Sequence, residues 1–177
     1  MKKQKGFSLI ELLIVVAIIL IIAAIAIPNL LRSKIAANES SAVGSVRTIG
    51  TAEVTYSSSW GTGYSIDLKS LGGAPPCATA TAGAACLIDP LLSNTQVKSG
   101  YTFNAAGTLP DTTGLILNGF EINATPTNYQ TTGVRAFCDD QIGVVKFVSN
   151  GAAPIGVGPG TCAGIANAPP ASGPVGN

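Results

Sequence analysis

The 177-residue chain contains no histidine. That absence removes Ser-His-Asp and Cys-His nucleophilic centres, along with the commonest metal ligand. Methionine and tryptophan occur once each, aromatic residues make up 6%, and charged residues only 11%. Lys and Arg total 10 against 9 Asp and Glu, a formal net charge of +1. Nothing in that balance supplies the basic face that dominates nucleic-acid binding. There is no Cys-x-x-Cys spacing, so zinc lacks its usual sulfur pattern as well as its nitrogen ligand. Asp139 and Asp140 are the only adjacent carboxylates. On an extended strand they would point to opposite faces, which is wrong for an acid–base pair. The chain therefore reads as non-enzymatic, with no cofactor and no metal centre. Asp139-Asp140-Gln141-Ile142-Gly143 reads as a tight turn whose carboxylates cap backbone amides. Calcium held at Asp139 and Asp140 is the alternative there, without an ordered ligand spacing to support it.

What the chain does have is one long apolar run. From Leu12 to Ile27 every residue is Leu, Ile, Val or Ala. With Phe7 to Glu11 added, the run reaches about 20 residues, the number that crosses a ~30 Å hydrocarbon layer as a helix. Pro28 closes it. Lys2, Lys3 and Lys5 precede it, while Arg32 and Lys34 follow it. Three lysines and the amino terminus outweigh two cations, so the leader is expected in the cytoplasm and the remainder outside. A secretory signal peptide fits poorly, because the run exceeds the usual 7–15 apolar residues and contains Glu11. A plain signal anchor leaves Glu11 unexplained. A carboxylate in mid-bilayer costs about 2.5–3.5 kcal/mol on insertion scales, so it needs a purpose.

Lys5-Gly6-Phe7-Ser8-Leu9-Ile10-Glu11-Leu12 resembles the class III signal of type IV prepilins and type II secretion pseudopilins. The resemblance covers Lys5 to Arg32. It implies cleavage after Gly6 by a prepilin peptidase and N-methylation of the new terminus, Phe7. It makes Glu11 the assembly carboxylate and Pro28 the helix-kink proline. Leu20 stands where many members carry glycine, and glycine would weaken the helix there by about 1 kcal/mol. The implied partners are further copies of the chain, the peptidase and N-methyltransferase, the inner-membrane assembly machinery and the membrane itself. Independently of the family, a methylated amine on Phe7 stays cationic. Pairing it with Glu11 of a neighbour offsets the cost of burying both charges.

The implied fold class is α+β, a type IV pilin fold: a long amino-terminal helix packed on an antiparallel sheet of about four strands. The expected divisions are a cleaved leader (1–6), a membrane and filament-core helix (7–28) and the second half of that helix (29–60). A connecting loop (61–100), the sheet (101–149) and a Gly/Pro-rich tail (150–177) follow. Removing the leader takes the charge sum to about −2, since three lysines leave a net of +1. Leu31, Ile35, Ala42, Val46, Ile49 and Tyr56 recur at helical spacing, interrupted by Glu39 and Glu53. Short helical turns are expected at 66–71 and 87–92. Strands are expected at 101–105, 119–124, 134–138 and 144–148. The tail is expected to be loose beyond Cys162.

Four cysteines, Cys77, Cys86, Cys138 and Cys162, all follow the apolar run. An even number outside the cytoplasm reads as two disulfides with three connectivities. Local loop closure favours Cys77–Cys86 and Cys138–Cys162, and the second pair resembles the C-terminal disulfide loop of many pilins. A loop of 10–25 residues is worth about 3 kcal/mol in the chain-entropy account. The roles that follow are a pilus subunit serving adhesion, motility or DNA uptake, a secretion pseudopilin, or a monomeric membrane-anchored binding protein. The last would have no need of Glu11. Inner membrane first and cell-surface filament afterwards is the expected location of a pilin.

Overall fold

The computed structural model describes residues 7–73, 76–77, 79–167 and 171–175. The expected leader, Gly6 included, lies outside them. One α-helix, α1, runs Leu9–Trp60. It continues through Pro28, where the ring removes one backbone donor without ending the helix. The chain divides between Lys34 and Ile35 into two compact units.

In the first unit the helix is apolar and unaccompanied. Leu9 to Leu31 are solvent-exposed apart from a half-buried Ala23. This stretch is long and apolar enough to cross a membrane.

In the second unit the rest of α1 lies on a six-stranded sheet. The strands are β1 (Val97–Lys98), β2 (Tyr101–Pro110), β3 (Leu117–Pro126), β4 (Ala136–Asp140), β5 (Lys146–Val148) and β6 (Ser172–Pro174). They are ordered as in sequence, and each neighbouring pair is antiparallel. The sheet thus has two strands more than the four expected. β1 is too short to show alternation. β6 is Ser-Gly-Pro, a composition with no strand signal at all. The tail is correspondingly not loose after Cys162: β6 pairs with β5, and Val175 N–H donates to the Val145 carbonyl. The short helix expected at 87–92 is instead a π-helical turn at Leu91–Thr95, begun after Pro90, and 66–71 is not helical: Asp67 bridges to Ala106 and a turn follows at 68–71.

Ala42, Val46, Ile49 and Tyr56 of α1 pack against Tyr101, Phe103, Phe120, Ile122 and Phe137. β2 alternates buried and exposed from Tyr101 to Ala105, the pattern of a strand with one wet face. β3 and β4 do not alternate, because both of their faces are covered. Phe120, Ile122 and Ala124 share the core. Glu121 and Asn123 face the segment Ile155–Cys162, where Asn123 Nδ2 donates to the Ile155 carbonyl. Asp139 and Asp140 accordingly lie in β4, 3% and 2% exposed, and not in a turn. Ile142 N–H does donate to Asp140 Oδ1, so one carboxylate still caps the turn that follows.

Glu39 and Glu53 do not interrupt the buried face of α1; both are inside it. Glu39 Oε1 accepts the N–H groups of Val134 and Arg135, each at 3.0 Å. Its Oε2 meets Arg135 Nε at 2.8 Å and Nη2 at 2.7 Å. The Arg135 guanidinium also lies 5.5 Å from the ring centres of Phe137 and Phe147. Glu53 is fully buried and accepts Ser65 N–H at 2.9 Å and Ser65 Oγ–H at 2.7 Å. Burial outweighs those bonds and pushes its carboxyl up to about 7.

Two predictions follow from these carboxylates. Glu39→Ala strands two backbone donors and Arg135, and is expected to cost about 2–4 kcal/mol in chemical denaturation of the full chain. Glu53 binds its proton more tightly in the folded than in the unfolded chain. Its contribution is therefore favourable at low pH and is lost as pH rises from about 4.5 to about 7. Glu53→Gln is expected to raise the melting temperature at pH 8 and leave it nearly unchanged at pH 4. A gap that fails to widen with pH would contradict this.

Candidate functional site

The amino-terminal end of α1 brings Ser8 and Glu11 together, with Phe7 next before them in the chain. Ser8 precedes the first helical residue, and Leu12 N–H donates to its carbonyl. The Glu11 carboxylate reaches back one turn and accepts Ser8 N–H through Oε2 at 2.9 Å. Ser-x-x-Glu in this register is half of a capping box: the side chain three residues in satisfies an orphan donor at the helix start. A negative charge in the first turn also faces the positive end of the helix dipole. The helix therefore begins at Leu9, two residues later than a start at Phe7. The carboxylate has a local role here that the apolar run alone does not suggest. Ser8-Leu9-Ile10-Glu11 is a readable capping signal that periodicity overlooks.

Glu11 is the only charged residue between Phe7 and Leu31. It is exposed, as are Phe7 at 78%, Leu9 at 76% and Ile10 at 63%. The site is thus one carboxylate and one free apolar end on a helix with no cover. Such a surface is unsuited to bulk water and calls for lipid or other helices. Chemically it can hold a cation at Oε1, which has no donor among the described residues.

Residues 1–27 match a family model described as the prokaryotic N-terminal methylation motif. This chain carries a prepilin-type amino terminus. The matched residues include Gly6, Phe7 and Glu11. The chain is 62% identical over 39 residues to the type IV wide pilus major component PilA4 of Thermus thermophilus, covering 22% of this chain and 30% of that protein. It is 44% identical over 54 residues to the type IV major pilin protein PilA of Myxococcus xanthus, covering 30% of this chain and 24% of that one. The matched stretch spans less than a third of either relative. No solved structure matches.

The four cysteines form two bonds, Cys77–Cys86 and Cys138–Cys162, at sequence separations of 9 and 24. The second ties β4 to the tail beside Glu121. That carboxylate accepts Gly160 N–H, Cys162 N–H and Thr161 Oγ–H at 2.8–3.2 Å. Lys146 Nζ donates to the carbonyls of Cys162 and Ala163. Among the described residues, no group of three or more His, Cys, Asp and Glu could hold a metal ion. Asp139 and Asp140 point to opposite faces of β4: Asp139 pairs across with Ile122 of the core, Asp140 with Glu121.

Glu11→Gln is expected to keep the helix start, since its amide oxygen still accepts Ser8 N–H. Glu11→Val is expected to fray the first turn, at a cost of about 0.5–1 kcal/mol. Amide hydrogen exchange at Leu9 to Leu12 in detergent micelles would distinguish the two. Equal protection in both variants would refute the capping role.

Proposed function

We propose that the chain is the structural subunit of a type IV pilus. The carrying observation is a single carboxylate, Glu11, on an otherwise apolar, wholly exposed helix end inside a prepilin methylation motif. In this reading the prepilin is held in the inner membrane by α1, leader inward. A prepilin peptidase hydrolyses the Gly6–Phe7 bond, and the new α-amine of Phe7 is N-methylated while remaining cationic. Assembly then exchanges lipid for protein along Leu9–Leu31. Pro28, with one donor missing, is the place where the helix can bend to pack. Lipid tails are as apolar as these side chains, so van der Waals fit and polar contacts must drive association. Glu11 of an incoming subunit meets the Phe7 amine of a neighbour, which selects axial register as well as offsetting charge burial. The heads, disulfide-stapled and covered with neutral polar residues, form the filament surface. The role is structural and has no catalytic step. The names of the two relatives favour a pilus over a secretion fibre.

The test is intact mass and amino-terminal peptide analysis of sheared surface material beside the membrane fraction. Abundant protein beginning at methylated Phe7 in the sheared fraction is expected. The same species confined to the membrane would assign a pseudopilin, and chains retaining Met1 to Gly6 everywhere would overturn the reading. Glu11→Val is expected to insert and be cleaved normally yet give little sheared filament. Removing one partner of a buried pair typically costs about 3–5 kcal/mol.

A further inference from the structure

In the second unit, the turn after β4 and the flank of α1 leave an open cleft of about 340 Å³, lined by Arg47, Gly50, Thr51, Asp139 and Gln141 among others. Asp139 belongs to its wall and is only 3% exposed. Oδ1 accepts Asp140 N–H at 3.0 Å, but no donor among the described residues reaches Oδ2. That oxygen lies over Gly50, where an added Cβ would come within 3.1 Å of it. The bare glycine keeps Oδ2 open to the cleft. Arg47 attracts Asp139 yet forms no ion pair with it within 4 Å. Asp140 and Glu121 add negative charge behind it, and burial pushes Asp139 up to about 6. The cleft therefore presents a nearly buried carboxylate with one oxygen that faces the opening and has no donor among the described residues, an arrangement that an entering cation would complete.

The chain carries cations suited to that place. Arg32 and Lys34 are exposed, follow the apolar run directly, and have no ion pair among the described residues. We infer that the Arg47–Gly50–Asp139 cleft receives Arg32 or Lys34 of a second copy of this chain. The inference rests on the filament-subunit reading, because burial of the apolar helices is what lays one α1 alongside another. Charges borne on one helix then come opposite a cleft flanking the next. Lys69, also exposed, lies in the connector beyond α1 and has no such placement.

The experiment compares sheared filaments of the full chain with those of Asp139→Asn, of Arg32→Gln with Lys34→Gln, and of all three changes together. Asparagine keeps the acceptor for Asp140 N–H and removes only the charge, so unassembled Asp139→Asn in detergent is expected to melt no lower than the natural chain. Its filaments are expected to melt several degrees lower, those of the double cation variant by a similar amount, and the triple variant no lower than either. Lys69→Gln filaments are expected to melt normally. Unchanged filaments, additive losses, or a loss confined to Asp139→Asn would overturn the inference while leaving the filament reading intact. Absence of filaments from the natural chain would overturn both.

Discussion

The head of this protein is organised by carboxylates buried against backbone amides. Glu39 joins the helix to the start of β4 by accepting Val134 N–H and Arg135 N–H and by gripping the Arg135 guanidinium. Glu121, on the opposite face of the sheet, gathers Gly160, Thr161 and Cys162. Each replaces water around an ion with several aligned donors, which is what allows a charge to lie in a low-dielectric interior. Of nine acidic residues five are buried, and three of these, Glu39, Glu53 and Glu121, are met by two or more donors. The low charge content of the surface follows from that choice as much as from composition.

The outer face of the sheet depends on the same device. Ile155 to Cys162 contains few large apolar residues, so hydrophobic burial cannot hold it. It is held by Glu121, by the Cys138–Cys162 bond, and by Lys146 on two carbonyls. β3 and β4 are buried on both faces in consequence, and β6 has a neighbour to pair with. A segment of glycine, proline and alanine thereby closes a sheet for which it has no propensity.

The amino-terminal segment is under the opposite constraint. Its apolar side chains have no protein cover, and its one carboxylate is occupied by Ser8 N–H through a single oxygen. A helix of this kind leaves an apolar surface long enough to cross a membrane without protein cover. The same chain thus combines a head that has its own buried core with a segment that has none.

The amino-terminal segment was legible because it is local: an uninterrupted apolar run, the lysines before it and one carboxylate are properties of neighbouring residues. The strands at Tyr101, Gly119 and Phe147 were legible from composition and alternation for the same reason. The burial of Glu39 and Glu53 was not, since the donors that make it possible lie 12 to 96 residues away; nor was that of Asp139 and Asp140, whose donors are near in sequence but whose strand is covered on both faces by distant segments. Nor were β1 and β6 visible, being two and three residues long with weak propensity. Sequence by itself determined the helix, its apolar end and the methylation motif, because each is written in contiguous residues. Tertiary structure alone decided which charges are inside, which strands close the sheet and how the tail is held, because those depend on hydrogen bonds between residues far apart in the chain.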